Sequence, residues 1–317
     1  MPLFDSLRWD AVWIVRHSAL FALPAILGCL SPAQRRTVAL ETVVALSADK
    51  NATVRCGVLE SLGEVLYTFV DDESGPPEQL IQLFLGRKED QDVRIGQKQA
   101  FTSIQSALLS MKIKAQNHVA PLESFYTQEK RPLICAFNFP AVVLALGGRR
   151  WAELHENYLD LVQNQNVNVS RTLAASIGEI AKLIGAHNAR RDLVNVWRSF
   201  LTSTEADVRV KAVEGLLDLL KVVISREGRG MAREMVNDVR KAWSENIFRG
   251  WRERECVQKH LVNWFDVIWR GASSRGVDDG TIGTFRELLL KGLEDNAANV
   301  REAAIARVSF EETFCFK

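Results

Sequence analysis

Five histidines and five cysteines are the residues of this 317-residue chain best suited to hold a metal or attack a substrate. Their spacing argues against both. A zinc site on a helix needs two histidines one turn apart, and structural zinc sites draw on short cysteine pairs. His155-Glu156 opens such a motif but lacks its second histidine, while His17, His118, His187 and His260 stand singly. Cys29, Cys56, Cys135, Cys256 and Cys315 are far apart and odd in number, and never form a C-x-x-C pair, so neither a zinc site nor a disulfide framework has a frame. G-x-S-x-G, G-x-x-x-x-G-K-[ST] and G-x-G-x-x-G are all missing, and with them the nucleophile elbow, the phosphate loop and the dinucleotide turn. We expect no catalytic residue, no metal and no cofactor. The chemistry left to this chain is recognition by its surface.

Charge narrows what that surface recognises. Lys and Arg number 40 against 39 Asp and Glu, a net charge of +1, so no strong field draws the chain to nucleic acid or an anionic membrane. The apolar stretch 19–30 is far short of the roughly 20 residues that span a bilayer, and it lacks the basic region and cleavage site of a secretory signal. Unpaired, scattered cysteines fit a reducing compartment. We expect a soluble protein of the cytoplasm, with the nucleus also open to it.

The elements that must carry the surface are helices, and they repeat. In Val54, Val58, Leu62, Val65, Leu66 and Phe69 the spacing places every side chain on one helical face at about 100° per residue. The same spacing recurs from Val15, Val169 and Val208, and more weakly from Val93, Arg131, Val257 and Val300. These starting points lie roughly forty residues apart, and about eight such units make a repeat protein. A second apolar helical stretch lies between them, as in residues 31–46, where Ser31 can cap and Pro32 suits the first turn. Each unit is therefore read as a helical hairpin. On this reading Trp269 is a core residue, Trp243 and Trp251 have no assigned place, and the longer step after Val208 is absorbed by a loop at residues 225–230.

Asn51-x-x-Val54-Arg55, Asp90-x-x-Val93-Arg94 and Glu205-x-x-Val208-Arg209 place a cap or acid at the turn and a valine-arginine pair at the start of the second helix. This pattern resembles the HEAT family. The resemblance implies an all-α fold, a right-handed α-alpha superhelix running as one solenoid over residues 1–317. Arg16, Arg55, Arg94, Arg209 and Arg301 would form a ladder, each pairing with an acid or amide of the neighbouring unit. Pro132 and Ser170 stand where the ladder arginine should be, and should interrupt it. The first and last units look incomplete, and we expect the chain to be a piece of a longer protein.

Two runs go further: LICAFNFPAVVLALGGRRWAELHENYLDL from residue 133, and VSRTLAASIGEIAKLIGAHNARRDLVNVWRSFL from residue 169. They are similar to the regulatory subunit 1 family of protein phosphatase 4, relatives of the protein phosphatase 2A scaffold. That resemblance implies a non-catalytic, monomeric scaffold within a hetero-oligomer, holding a serine/threonine phosphatase catalytic subunit and directing it to substrates. The related scaffold seats its catalytic subunit on turns inside hairpins, which here carry Asp49, Lys50, Glu89, Asp90, Asn166, Glu205 and Asp207. Glu64, Glu179 and Asp218 lie roughly opposite the apolar face, where they would form an acidic row on the concave side for a basic peptide or the catalytic subunit. The alternatives are an importin-like transport adaptor binding a GTPase and cargo and, further off, a HEAT-like nucleic-acid enzyme.

Overall fold

The computed structural model describes residues 2–86, 123–224, 228–271 and 278–314, without the side chains of residues 123 and 308–314. Every element of regular length among the described residues is a helix, and the chain divides into two compact units, Met1–Leu161 and Val162–Lys317.

In the first unit, α1 (Pro2–Arg8) precedes α2 (Trp13–Gly28), and α3 (Pro32–Ser47) precedes α4 (Ala52–Tyr67). Then come α5 (Glu78–Leu85), the single turn α6 (Glu123–Tyr126), α7 (Arg131–Leu146) and α8 (Trp151–Val162). Helix α4 shows how the sequence makes a hairpin. The Asn51 side chain accepts the Thr53 N–H at 2.9 Å, which satisfies one orphan donor of the first turn. Val54, Val58, Leu62, Val65, Leu66 and Phe69 are then all fully buried, each contributing about 1.5–3 kcal/mol by leaving water. The second helices form a row, α2 against α4 and α4 against α7. Phe84, Phe139, Trp151 and Tyr158 close the far end in a cluster of tilted and edge-on rings.

Helix α4 also packs directly against α7. Asn138 Nδ2 donates to Leu59 O at 3.0 Å between them, and Gly63 lets the helices close, since a Cβ there would meet Asn138 Oδ1 at 3.0 Å. The unit read at Val93 lies outside the described residues.

In the second unit, α9 (Val167–Asn188) breaks at Gly185, whose φ of 79° and ψ of 167° end one helix and start the next. Residues 186–201 continue through a π-helical turn, Ala189–Leu193, into α10 (Val194–Leu201). After it come α11 (Ala206–Val223), α12 (Arg229–Ser244), α13 (Trp251–Arg270), α14 (Asp279–Leu293) and α15 (Ala298–Phe314). The second-helix row runs α9, α11, α13, α15, and the first-helix row runs α10, α12, α14. Gly178 occupies the place in α9 that Gly63 has in α4, and a Cβ there would lie 2.7 Å from Asp218 Cβ. Each unit is thus an α-solenoid stack.

One register differs from the reading above. Trp264 is fully buried whereas Trp269 is 41% exposed, so the core face of α13 runs through Val257, Leu261, Trp264 and Ile268. The unit starts at Glu253, in the place valine holds elsewhere, and not at Val257. Helix α12 also begins at Arg229, inside the segment assigned to a loop; residues 225–227 lie outside the described residues.

Candidate partner-binding site

The turns between first and second helices are held from beneath by arginine. Arg16 Nη1 donates to Asp10 O at 2.7 Å and Ala11 O at 3.1 Å. Arg55 does the same to Asp49 O and Lys50 O at 2.7 and 3.1 Å, and Arg209 to Ser203 O and Thr204 O at 2.6 and 2.9 Å. Arg301 binds Asp295 O and Asn296 O at 2.7 and 2.9 Å. Arg254, which the sequence reading missed, binds Phe248 O and Arg249 O, both at 3.0 Å. Each guanidinium thereby satisfies carbonyls that the turn leaves unpaired.

Three of these arginines also reach the next hairpin. Arg16 forks onto both carboxylate oxygens of Asp49 at 2.7 and 2.9 Å, Arg254 onto Asp295 at 2.6 and 3.1 Å, and Arg209 pairs with Glu253. A planar guanidinium suits such two-point contacts, which a lysine could not make. Burial pushes the Asp295 carboxyl up, but the Arg254 hydrogen bonds and the Ala297 N–H outweigh it and hold the group below its ordinary value. Among the described residues Arg55 and Arg301 bind only their own turns, and Arg55 Nε is buried without a partner. Arg94 lies outside the described residues. At the unit where Pro132 replaces the arginine, Arg131 instead donates to Leu83 O and Phe84 O at 2.8 and 2.7 Å. The Glu-Arg pair at 253–254, followed by Val257, Leu261 and Trp264, was the signal for the missed rung.

Arginine braces the turns before α4 and α11 in this way, while before α9, where Ser170 stands in its place, Asn164 Oδ1 accepts the Asn166 N–H at 2.9 Å; the outer side chains of these turns are presented to solvent. Lys50, Asn166, Glu205 and Asp207 are exposed, and Asp207 lies 3.9 Å from Arg171. Asn166 also caps α9 by accepting the Asn168 N–H at 2.9 Å. Glu205 stands at the cap position of α11, yet its side chain makes no capping bond. Asp49 is corrected as a partner contact, because it is buried and committed to Arg16. Glu89 and Asp90 lie outside the described residues.

The expected acidic row divides by unit. Glu64 is exposed on α4. In the second unit Lys182 bridges Glu179 at 2.8 Å and Asp218 at 3.0 Å, and Lys221 adds a contact to Asp218 at 3.2 Å. Burial raises the Asp218 carboxyl, but the two lysines bring it below its ordinary value. That half of the row is a set of neutralised ion pairs, not an open negative strip.

No group of three or more His, Cys, Asp and Glu side chains gathers at metal-binding distance among the described residues. Cys256 lies 3.7 Å from His260 Nδ1, yet burial pushes its thiol up to about 12, the opposite of an activated nucleophile. No single described helix is long and apolar enough to cross a membrane.

Stacked hairpins sewn by arginine define an α-solenoid repeat protein. Within it, residues 135–238 match the family described as protein phosphatase 4 regulatory subunit 1 middle domain. The chain is 32% identical to human serine/threonine-protein phosphatase 4 regulatory subunit 1 over 176 residues, covering 55% of this chain and 17% of that protein. It is also 24% identical to mouse regulatory subunit 4 of the same phosphatase over 230 residues, 62% of this chain and 26% of that one. The chain therefore spans well under a third of the length of these relatives, which are regulatory subunits by name.

Proposed function

We propose that this chain is a non-catalytic scaffold that binds a serine/threonine protein phosphatase catalytic subunit and directs it to substrates. The observation that carries this reading is the match of residues 135–238 to the phosphatase 4 regulatory subunit family. The geometry adds a mechanism. Arginines beneath the turns fix the carbonyls beside Lys50 and beside Glu205 and Asp207, and Asn164 Oδ1 accepts the Asn166 N–H at 2.9 Å in the turn where Ser170 stands in the arginine's place, so these side chains sit on preorganised loops and lose little freedom when a partner binds. In the second unit, Asn166, Glu205 and Asp207 give the turn edge an amide and two acids, a charge pattern suited to orientation more than to raw affinity; in the first, Lys50 gives its turn a cation.

The test is capture of purified phosphatase 4 catalytic subunit by the full chain and by a Lys50→Glu, Glu205→Lys, Asp207→Lys triple variant. All three side chains are exposed, so the variant should keep its helical circular dichroism while its affinity falls about tenfold, roughly 1.4 kcal/mol. Unchanged capture by the folded variant would remove the turn edge from the account.

A further inference from the structure

The outward face of the second helices in the first unit differs in kind from that of the second. Across α2, α4 and α7, equivalent positions carry Phe21, Glu60 and Phe137, and further along the same face lie Glu64, Tyr67 and Leu144. Phe137 is 75% exposed, Phe21 and Tyr67 each 49% and Leu144 42%. Glu60 and Glu64, also exposed, stand on the middle helix, and among the described residues neither makes an ion pair. The second unit fills the matching face with lysine-carboxylate pairs: Lys211 with Glu214, Lys182 with Glu179 and Asp218, Lys259 with Glu255. Solvated pairs of that kind already have their counter-ions. Among the described residues, the two carboxylates set among four bulky apolar side chains have none.

We propose that this face binds an amphipathic peptide segment in which one or two lysine or arginine side chains are flanked by bulky apolar residues. The incoming cation meets Glu60 and Glu64 where neighbouring apolar groups exclude water and strengthen the attraction, and the rings of Phe21, Tyr67 and Phe137 offer faces to it as well. The flanking residues gain by covering exposed aromatics, the side chains that most often anchor interfaces. Neighbouring helices pack about 8–10 Å apart, so the face measures roughly 20 Å from α2 to α7, which a helical segment of about 13 residues would cross.

The proposal goes beyond the phosphatase reading and is tested without a phosphatase. The immobilised full chain is panned against phage-displayed random 16-residue peptides. Wild type should enrich peptides with Lys or Arg beside aromatic or aliphatic residues. A Glu60→Lys, Glu64→Lys variant should enrich Asp- or Glu-bearing peptides in their place. A selected peptide should lose tenfold or more affinity for a Tyr67→Ser, Phe137→Ser variant by fluorescence polarisation, and none for Lys182→Glu, with circular dichroism unchanged throughout. Enrichment of the same basic peptides by the lysine variant, no enrichment by wild type, or undiminished binding to the serine variant would each overturn it. Concentration-dependent self-association of wild type that Phe137→Ser abolishes, with no peptide selected, would give the face to a second copy of the chain and equally end the proposal.

Discussion

A single buried pair, Arg209 with Glu253, shows how this chain trades core volume for definition. Glu253 is fully buried at a position where most other units place valine, and it also accepts the Gly250 N–H at 2.5 Å, closing the start of α13. Removing one partner of such a pair strands the other charge in a dry site, at about 3–5 kcal/mol, whereas replacing both by apolar groups costs far less. Arg209→Ala should therefore lower the thermal midpoint more than an Arg209→Met, Glu253→Val double variant; the reverse order would mean the pair is solvated. Asp295 supplies a pH signature. Its folded value lies below the usual carboxylate value near 4, so its contribution to stability is complete above about pH 4 and is lost as pH falls through the folded value. The midpoint difference between wild type and Asp295→Asn should be present at pH 6 and shrink below about pH 4. A difference that stays constant to pH 3 would dissociate Asp295 from the ladder.

Helix by helix, the apolar spacing carried most of the architecture, since burial follows it closely in α4, α7, α9 and α11. It misled at α13 for a physical reason: a carboxylate in the core slot, acceptable only because Arg209 reaches it from the preceding hairpin, looks like a break in the pattern. The next apolar residue, Val257, then becomes the apparent start and moves every core assignment by a helical turn. Trp264 and Trp269 separate the two registers. Trp264→Ala should destabilise by about 3–5 kcal/mol and Trp269→Ala by no more than about 1 kcal/mol, read as shifts in thermal midpoint. The opposite order would restore Val257 as the start. Nothing in the spacing could reveal that Lys182 lies between Glu179 and Asp218, because that bridge joins two helices. Nor could it show that α4 meets α7 directly, since a contact between distant residues leaves no trace in local periodicity. The turn residues were legible as positions, but their availability was not, as Asp49 shows by its burial beneath Arg16.

At the scale of the molecule, each stack offers a turn edge and an outward face of second helices. Arginines hold the carbonyls of five turns, and the outward face of the second helices is neutralised by ion pairs in one unit, while in the other it is apolar around two carboxylates that make no ion pair among the described residues. A scaffold made of units that each lean on their neighbours gains its surface by repetition, and a change in one unit alters that surface locally. The scaffold claim is tested most directly by hydrogen exchange on the full chain with and without purified phosphatase 4 catalytic subunit. Binding through the turn edge predicts slowed exchange in the turns at residues 48–51, 164–168 and 203–207, with little change along the buried faces of α4, α9 and α11. No protection anywhere at saturating catalytic subunit, or protection confined to segments away from those turns, would contradict it.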